Sequence, residues 1–296
     1  MVTKLKGGFK LLKTNIDKTV MLSVQGKIHH PSYTPSPYRI NYDGEPMVLP
    51  ATGGITYNVK LGDSAFGWAG DHIEPGVSIR NEDAQERNAL MTMACIGNTA
   101  KVISGDAKGA VGYVTGLHGG VDHVIIHFEE KDMDNMSIDD KILIKSWGQG
   151  LQLLDYPEIK IMNIDPKLLR NIPLTEENGI VKFPVVAEVP AYLMGSGIGD
   201  SSAYKGDYDI MTGDKEEIQR LGIDNLKFGD LVLLKDCDNS FGRGYLKGSV
   251  SIGVVVHSDC IKLGHGPGIV TILTCKESKI KSILSDDANI KNWIKK

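Results

Sequence analysis

Short β-branched runs cut apart by glycine are what most restrict the folds open to this chain. In residues 229–275, GDLVLLKDCDNSFGRGYLKGSVSIGVVVHSDCIKLGHGPGIVTILTC, three such runs (231–234, 250–256 and 269–273) have the composition of strands. The segments between them carry acids, histidines and clustered glycines. Across 296 residues there are 34 glycines, more than the ordinary share of about 7%, and most of them separate other runs of the same kind. The expectation is a mainly β protein with minor helix, holding a small SH3-like barrel beside a larger β domain, with short helices and a C-terminal helix. Three parts are expected: an N-terminal β segment with a Pro/Tyr arm over 1–95, the barrel over 96–155, and a C-terminal β domain over 156–296 packed with the first.

In the first part, 3–27 reads as one or two short strands, with 18–25 the clearest. The stretch 29–46 that follows holds Pro31, Pro35, Pro37 and Pro46. Proline removes ladder donors and restricts the residue before it, so this is an extended arm that lines a pocket or wraps a subunit, or else a surface loop. The glycine-rich loop 62–76 ends in Asp71-His72 and Glu74-Pro75-Gly76. Small neighbours let a substrate approach such an acid/imidazole pair; the alternative is ordinary turn chemistry.

In the middle part, runs at 100–104, 110–115, 123–128, 141–146 and 150–154 suit a five-stranded barrel. SGDAKGAVG and LHGG resemble the KOW segment of SH3-like barrels in ribosomal and transcription proteins. KOW segments often touch RNA, but few lysines stand here among several acids, so the barrel is read as scaffold. His123 and His127 lie four apart, about 13 Å along a strand, too far to share an ion. With His118 they are read as solvated or core-edge side chains.

Further on, Asp165-Pro166 and Asp214 open short helices. The loop 195–202, GSGIGDSS, lacks the lysine of a phosphate-binding loop and strict GxGxxG spacing, and is read as a flexible loop able to cover a ligand, with a nucleotide cradle the minor alternative. An i, i+4 apolar rhythm from Ile280 to Ile294 suggests one or two terminal helices.

Candidate chemistry gathers around the last strands. His257 and Asp259 share a strand face by alternation, and His265 follows in GHGPG, where Gly264, Gly266 and Gly268 permit an anion-binding nest of backbone N–H groups. His257, His265 and His72 are the candidate acid/base groups. Asp259 would orient an imidazole or hold a metal, and Asp71 would enter with His72 from the N-terminal half. At the opposite strand end, Asp236 and Asp238 are candidate metal ligands and Asn239 and Arg243 candidate substrate contacts; a structural turn network is the equal alternative. Histidines with carboxylates suit a divalent ion such as zinc or manganese. Cys260 would face away from Asp259, and the nucleophile role is the minor reading for it.

Taken together, GDHIEPGVS, GLHGG, FGDLVLLKDCDN, GSVSIGVVVHSDC and GHGPGIVTIL closely resemble an uncharacterised bacterial and archaeal family classed as a domain of unknown function. The resemblance implies a mostly β architecture and no stated reaction. The layout is also similar to that of acetamidase/formamidase enzymes, metal-dependent amide hydrolases rich in β structure.

A formal net charge of −4 disfavours nucleic acid as the main partner. Four dispersed cysteines without a CxxC suit a reduced interior, and no apolar stretch reaches the length of a signal core or a membrane span. The expectation is a cytoplasmic homo-oligomer that binds a small molecule: an amide or lactam hydrolase or isomerase, with a divalent metal as its candidate cofactor. The alternative is a non-catalytic assembly protein whose barrel contacts RNA or another subunit.

Overall fold

A computed structural model describes residues 12–31 and 36–295. The proposed beginning of strand structure before residue 12, and the arm residues 32–35, lie outside the described residues. The protein is mainly β, as its composition implies. Six antiparallel strands close a barrel, in the order Leu22–Ile28, Lys141–Ser146, Thr99–Val102, Val111–His118, His123–His127, Gly76–Arg80, and back to Leu22–Ile28. Two of the six come from the first 95 residues. The run 150–154 is not a strand: Gln152 and Leu153 make only isolated bridges, because the pairing edge it needed is taken by Leu22–Ile28.

Beside the barrel lies a second sheet, ordered Lys160–Ile161, Gly268–Cys275, Gly244–His257, Leu231–Asp238, Ala187–Pro190, with Tyr208–Asp209 also paired to Gly268–Cys275. The three expected strands of residues 229–275 are its centre, and the eight residues Gly268–Cys275 are buried throughout. One continuous apolar core runs from barrel residues such as Val114, Leu117 and Ile126 into Ile252, Val254, Val256 and Ile272 of this sheet. Gly116 makes the close approach possible: a Cβ there would stand 2.6 Å from Cβ of Val256.

Asp165 caps the helix Pro166–Asn171, accepting hydrogen bonds from the amides of Lys167 and Leu168, and Asp214 caps Lys215–Arg220. The chain end departs from the expected helix. Ile280–Leu284 is a strand lying parallel to Ile180–Val185, and only a single 3-10 turn, Ile290–Asn292, follows. The apolar rhythm was real, but a partner strand 100 residues away satisfied it in extended form. No helix among the described residues is long and apolar enough to cross a membrane.

Candidate metal centre

Four histidines and four carboxylates converge where the barrel meets the second sheet. His118 ends a barrel strand, and His257 ends the longest strand of the second sheet, where its register partner is Gly268. Asp209 is the partner of Gly268 on the other side. Gly268 has no side chain to separate them; a Cβ there would stand 2.0 Å from Oδ2 of Asp207 and 2.2 Å from Nε2 of His257. The loop carrying His72 is zipped to the strand end beyond His257: the Ser258 amide donates to the Ile73 carbonyl (3.0 Å), and the Ile73 amide donates to Oγ of Ser258 (2.8 Å). His72 itself adopts φ 55°, a left-handed conformation that this zipper imposes on a residue with a Cβ.

Three of the four imidazoles are oriented from behind. Nδ1 of His118 lies 2.7 Å from Oε1 of Glu74, Nδ1 of His257 lies 2.9 Å from the Ser258 carbonyl, and Nδ1 of His72 lies 3.0 Å from Oδ1 of Asp71. This leaves the Nε2 atoms for the interior. Nε2 of His257 lies 2.7 Å from Oδ2 of Asp207, yet the two are not aligned as a hydrogen bond, and each is buried without a partner of hydrogen-bond geometry. The other Asp207 oxygen accepts from the Gly119 amide at 2.8 Å. Asp209 reaches both ways, with Oδ1 3.5 Å from Nε2 of His257 and Oδ2 3.0 Å from Nδ1 of His265.

Charge in this cluster is strongly biased. Burial works against ionised Asp207, Asp209 and Glu74, but the neighbouring imidazoles outweigh it and hold all three below the usual carboxylate range. Burial likewise opposes charge on His257 and His72, and the facing carboxylates outweigh it, raising His257 well above the ordinary imidazole value and His72 more modestly. Two groups have the spacing of metal ligands: His118, Asp207 and His257, all buried, and His72, Cys260 and His265, with ligand atoms within 4.8 Å of one another in each. A cleft of about 560 Å³ opens over them, lined by Asp71, His72, His118, Asp207, Asp209 and His265, with Arg39, Arg243 and Lys262 among its cations.

Of the residues singled out from sequence, Asp71, His72, His257 and His265 come together here. Asp71 is wholly buried between Arg39 (2.9 Å), His72 and the Cys260 thiol (2.8 Å). Burial and Asp71 together raise the Cys260 thiol, which is thereby kept protonated. Asp259 does not face an imidazole. Its carboxylate takes the Thr212 hydroxyl, the Cys260 amide (2.9 Å) and Lys215 (3.6 Å), and its carbonyl meets the His72 amide at 3.4 Å. Asp236 and Asp238 stand at the far hairpin end, outside both groups of metal-ligand spacing: Asp236 accepts from the Gly248 amide (2.6 Å), and Asp238 caps Ser240 and pairs with Lys276 (3.4 Å). Asn239 is buried in the sheet and donates to Tyr208 and Thr271.

Arg243 does line the cleft, donating to the carbonyls of Lys205 (2.8 Å) and Gly197 (3.4 Å), and Ser196, Gly197 and residues 200–202 of the glycine loop form part of the same wall. The GHGPG glycines serve different ends. Gly264 accepts the Ser196 amide through its carbonyl, Gly266 packs against the Ile210 carbonyl, and Gly268 makes room for the cluster.

His118, Glu74, Asp207 and Asp209 were not singled out as site residues. His118 and His123 are buried rather than solvated; the hairpin pairs them directly, and they share the Glu74 carboxylate instead of an ion. His123 continues to His29, Nε2 to Nδ1 at 2.9 Å. The spacing Asp207-Tyr208-Asp209 was the available signal, two acids on one face of a strand.

Fold and site define a β-barrel protein fused to a second β sheet, with a buried imidazole–carboxylate cluster of metal-ligand spacing at the seam. The chain belongs to the DUF4438 family: residues 38–170 match its N-terminal domain of unknown function and 171–294 its C-terminal one. The crystal structure of TM1086 is similar, with 53% sequence identity and a TM-score of 0.92 over 96% of this chain and 99% of that one. No curated protein matches, and neither likeness extends to an acetamidase or formamidase.

Proposed function

We propose that this protein is a metal-dependent enzyme that hydrolyses or isomerises a small polar metabolite of amide or lactam type. The divalent ion, zinc or manganese, is held by His118, His257 and Asp207. The observation that carries this reading is the pair Nε2 of His257 and Oδ2 of Asp207: both are buried, 2.7 Å apart, and out of hydrogen-bond alignment with each other. An ion between them would satisfy both atoms at once. Imidazoles fixed through Nδ1 by a carboxylate or carbonyl are the usual support of metal-binding histidines.

Three protein ligands with an open side are also the arrangement in which zinc activates water. His72, His265 and Asp209 line the cleft beside these ligands and would meet a water and a substrate carbonyl bound there. Convergence of Asp71, His72 and His265 on one cleft above His257 favours an enzyme over an assembly protein, for which scattered exposed positions suffice.

Elemental analysis of the purified protein, beside His118→Ala and His257→Ala, tests the reading. The expected result is a divalent metal in the wild type that both variants lose, together with turnover of a member of an amide and lactam panel that disappears on chelation. Wild-type protein that neither carries nor takes up zinc or manganese would overturn it.

A further inference from the structure

We infer that the site holds two ions, a second one bound by His72, His265 and Asp209, with Asp209 bridging it to the first. This rests on the metal reading above and deepens it. The two oxygens of Asp209 face different imidazoles: Oδ1 points to His257 of the buried group (3.5 Å), whereas Oδ2 lies 3.0 Å from Nδ1 of His265 and 3.6 Å from Nε2 of His72. Nε2 of His72 and Nδ1 of His265 are themselves 3.1 Å apart. Three donor atoms thus form a triangle with sides of 3.0, 3.1 and 3.6 Å. Metal–ligand bonds of about 2.0–2.2 Å at tetrahedral angles place ligand atoms about 3.3–3.6 Å apart, so the triangle is already close to the size an ion requires.

His72 is prepared for the task. Asp71 occupies its Nδ1 and is anchored in turn by Arg39, so the ring cannot turn its lone pair away. The rings of His72 and His257 are 5.1 Å apart by centroid, which suits two ions joined by one carboxylate at the usual separation of about 3.5–4 Å.

Cys260 lies within ligand distance of the same two histidines, but its Sγ donates to Asp71 at 2.8 Å and is thereby turned away from them. The carboxylate of Asp209 is the better third donor for a hard ion such as manganese. The two positions differ in access: the side chains of His118, Asp207 and His257 are 7%, 3% and 0% exposed, and those of His72 and His265 are 11% and 29%. The first ion is enclosed. The second lies at the floor of the cleft, where it meets solvent and substrate, and a pair of ions can polarise a carbonyl with one member and present hydroxide from the other.

The test is titration of metal-stripped protein with manganese(II), followed by calorimetry and electron paramagnetic resonance. The expected result is two equivalents, the second bound at least tenfold more weakly, with an exchange-coupled pair signal appearing only as the second enters. His265→Ala, at a half-buried position, is expected to bind one equivalent without coupling, while Cys260→Ala still binds two. Saturation of the wild type at one equivalent, or two equivalents without coupling, overturns the second position and leaves the first standing. No uptake at all removes both. The wild-type coupling signal decides the matter even if a variant folds poorly.

Discussion

The imidazole of His118 stacks on that of His257, with ring centroids 4.3 Å apart and planes 29° from parallel. One ring belongs to the barrel and the other to the second sheet, so the cluster exists only where the two halves of the chain meet. Its integrity therefore depends on packing across the seam as much as on the ligand residues themselves.

Glu74 is the strongest single support behind that stack. It is buried, its carboxylate takes Nδ1 of both His118 and His123, and those imidazoles hold it ionised against the cost of burial. Removing one partner of a buried pair costs about 3–5 kcal/mol, and loss of an outer support lowers metal affinity roughly 10–100-fold. Glu74→Gln is expected to show both effects, in urea unfolding of the metal-free protein and in a zinc competition assay. Unchanged affinity would rule out Glu74 as a determinant of the His118 orientation.

Gly268 and Gly264 make a paired test of crowding against backbone strain. Gly268→Ala drives a methyl into Asp207 and His257, two buried groups with nowhere to retreat. Metal binding should be abolished, with a stability loss of about 1–3 kcal/mol from overpacking. Gly264 has φ 74° and open space around it, so Gly264→Ala should cost about 1–2 kcal/mol in backbone strain and leave metal content unchanged. Equal metal loss in the two variants would contradict this account.

Asp230 gives stability a pH dependence remote from the cluster. Burial pushes its carboxyl up to about 6, although Asn289 and the Lys227 amide partly oppose the shift. A group whose folded value is raised favours the folded state fully below its unfolded value, near 3.8. That contribution is lost as pH climbs through about 6. At about 1.4 kcal/mol per unit the loss is about 3 kcal/mol. Asp230→Asn keeps the shape and removes the titration, so the wild type should lose that amount relative to the variant between pH 4 and pH 7 in denaturant titrations. Parallel curves would show that the buried carboxyl does not set this slope.

Arg243 holds the cleft wall in place. It is 4% exposed and ties the Lys205 and Gly197 carbonyls, on the segment that leads into Asp207 and Asp209. Hydrogen bonds from a charged donor contribute about 1.5–3 kcal/mol. Arg243→Met should therefore raise amide hydrogen exchange across residues 195–207 while barrel amides stay protected. Uniform acceleration over the whole chain would mean global destabilisation instead.

Much of the fold could be read locally. Alternation and β-branching marked the strands around residues 231–273, and Asp165-Pro166 and Asp214 marked helix starts, because strand pleat and helix capping depend on neighbours a few positions away. Ile280 and Leu284 misled for the same reason: a short apolar run suits either structure, and its parallel partner Ile180–Val185 lies far off in the chain.

The candidate site divides along the same line. Histidine beside glycine and acid drew attention to Asp71, His72, His257 and His265 from sequence alone, since small flanking residues and titratable groups announce themselves locally. What only tertiary structure decided was the company they keep. His118 met Glu74 because barrel closure turned a hairpin inward, and Asp207 and Asp209 met His257 because a two-residue strand docked on Gly268. Register between distant strands is set by packing of the whole core, and no spacing within a single segment records it.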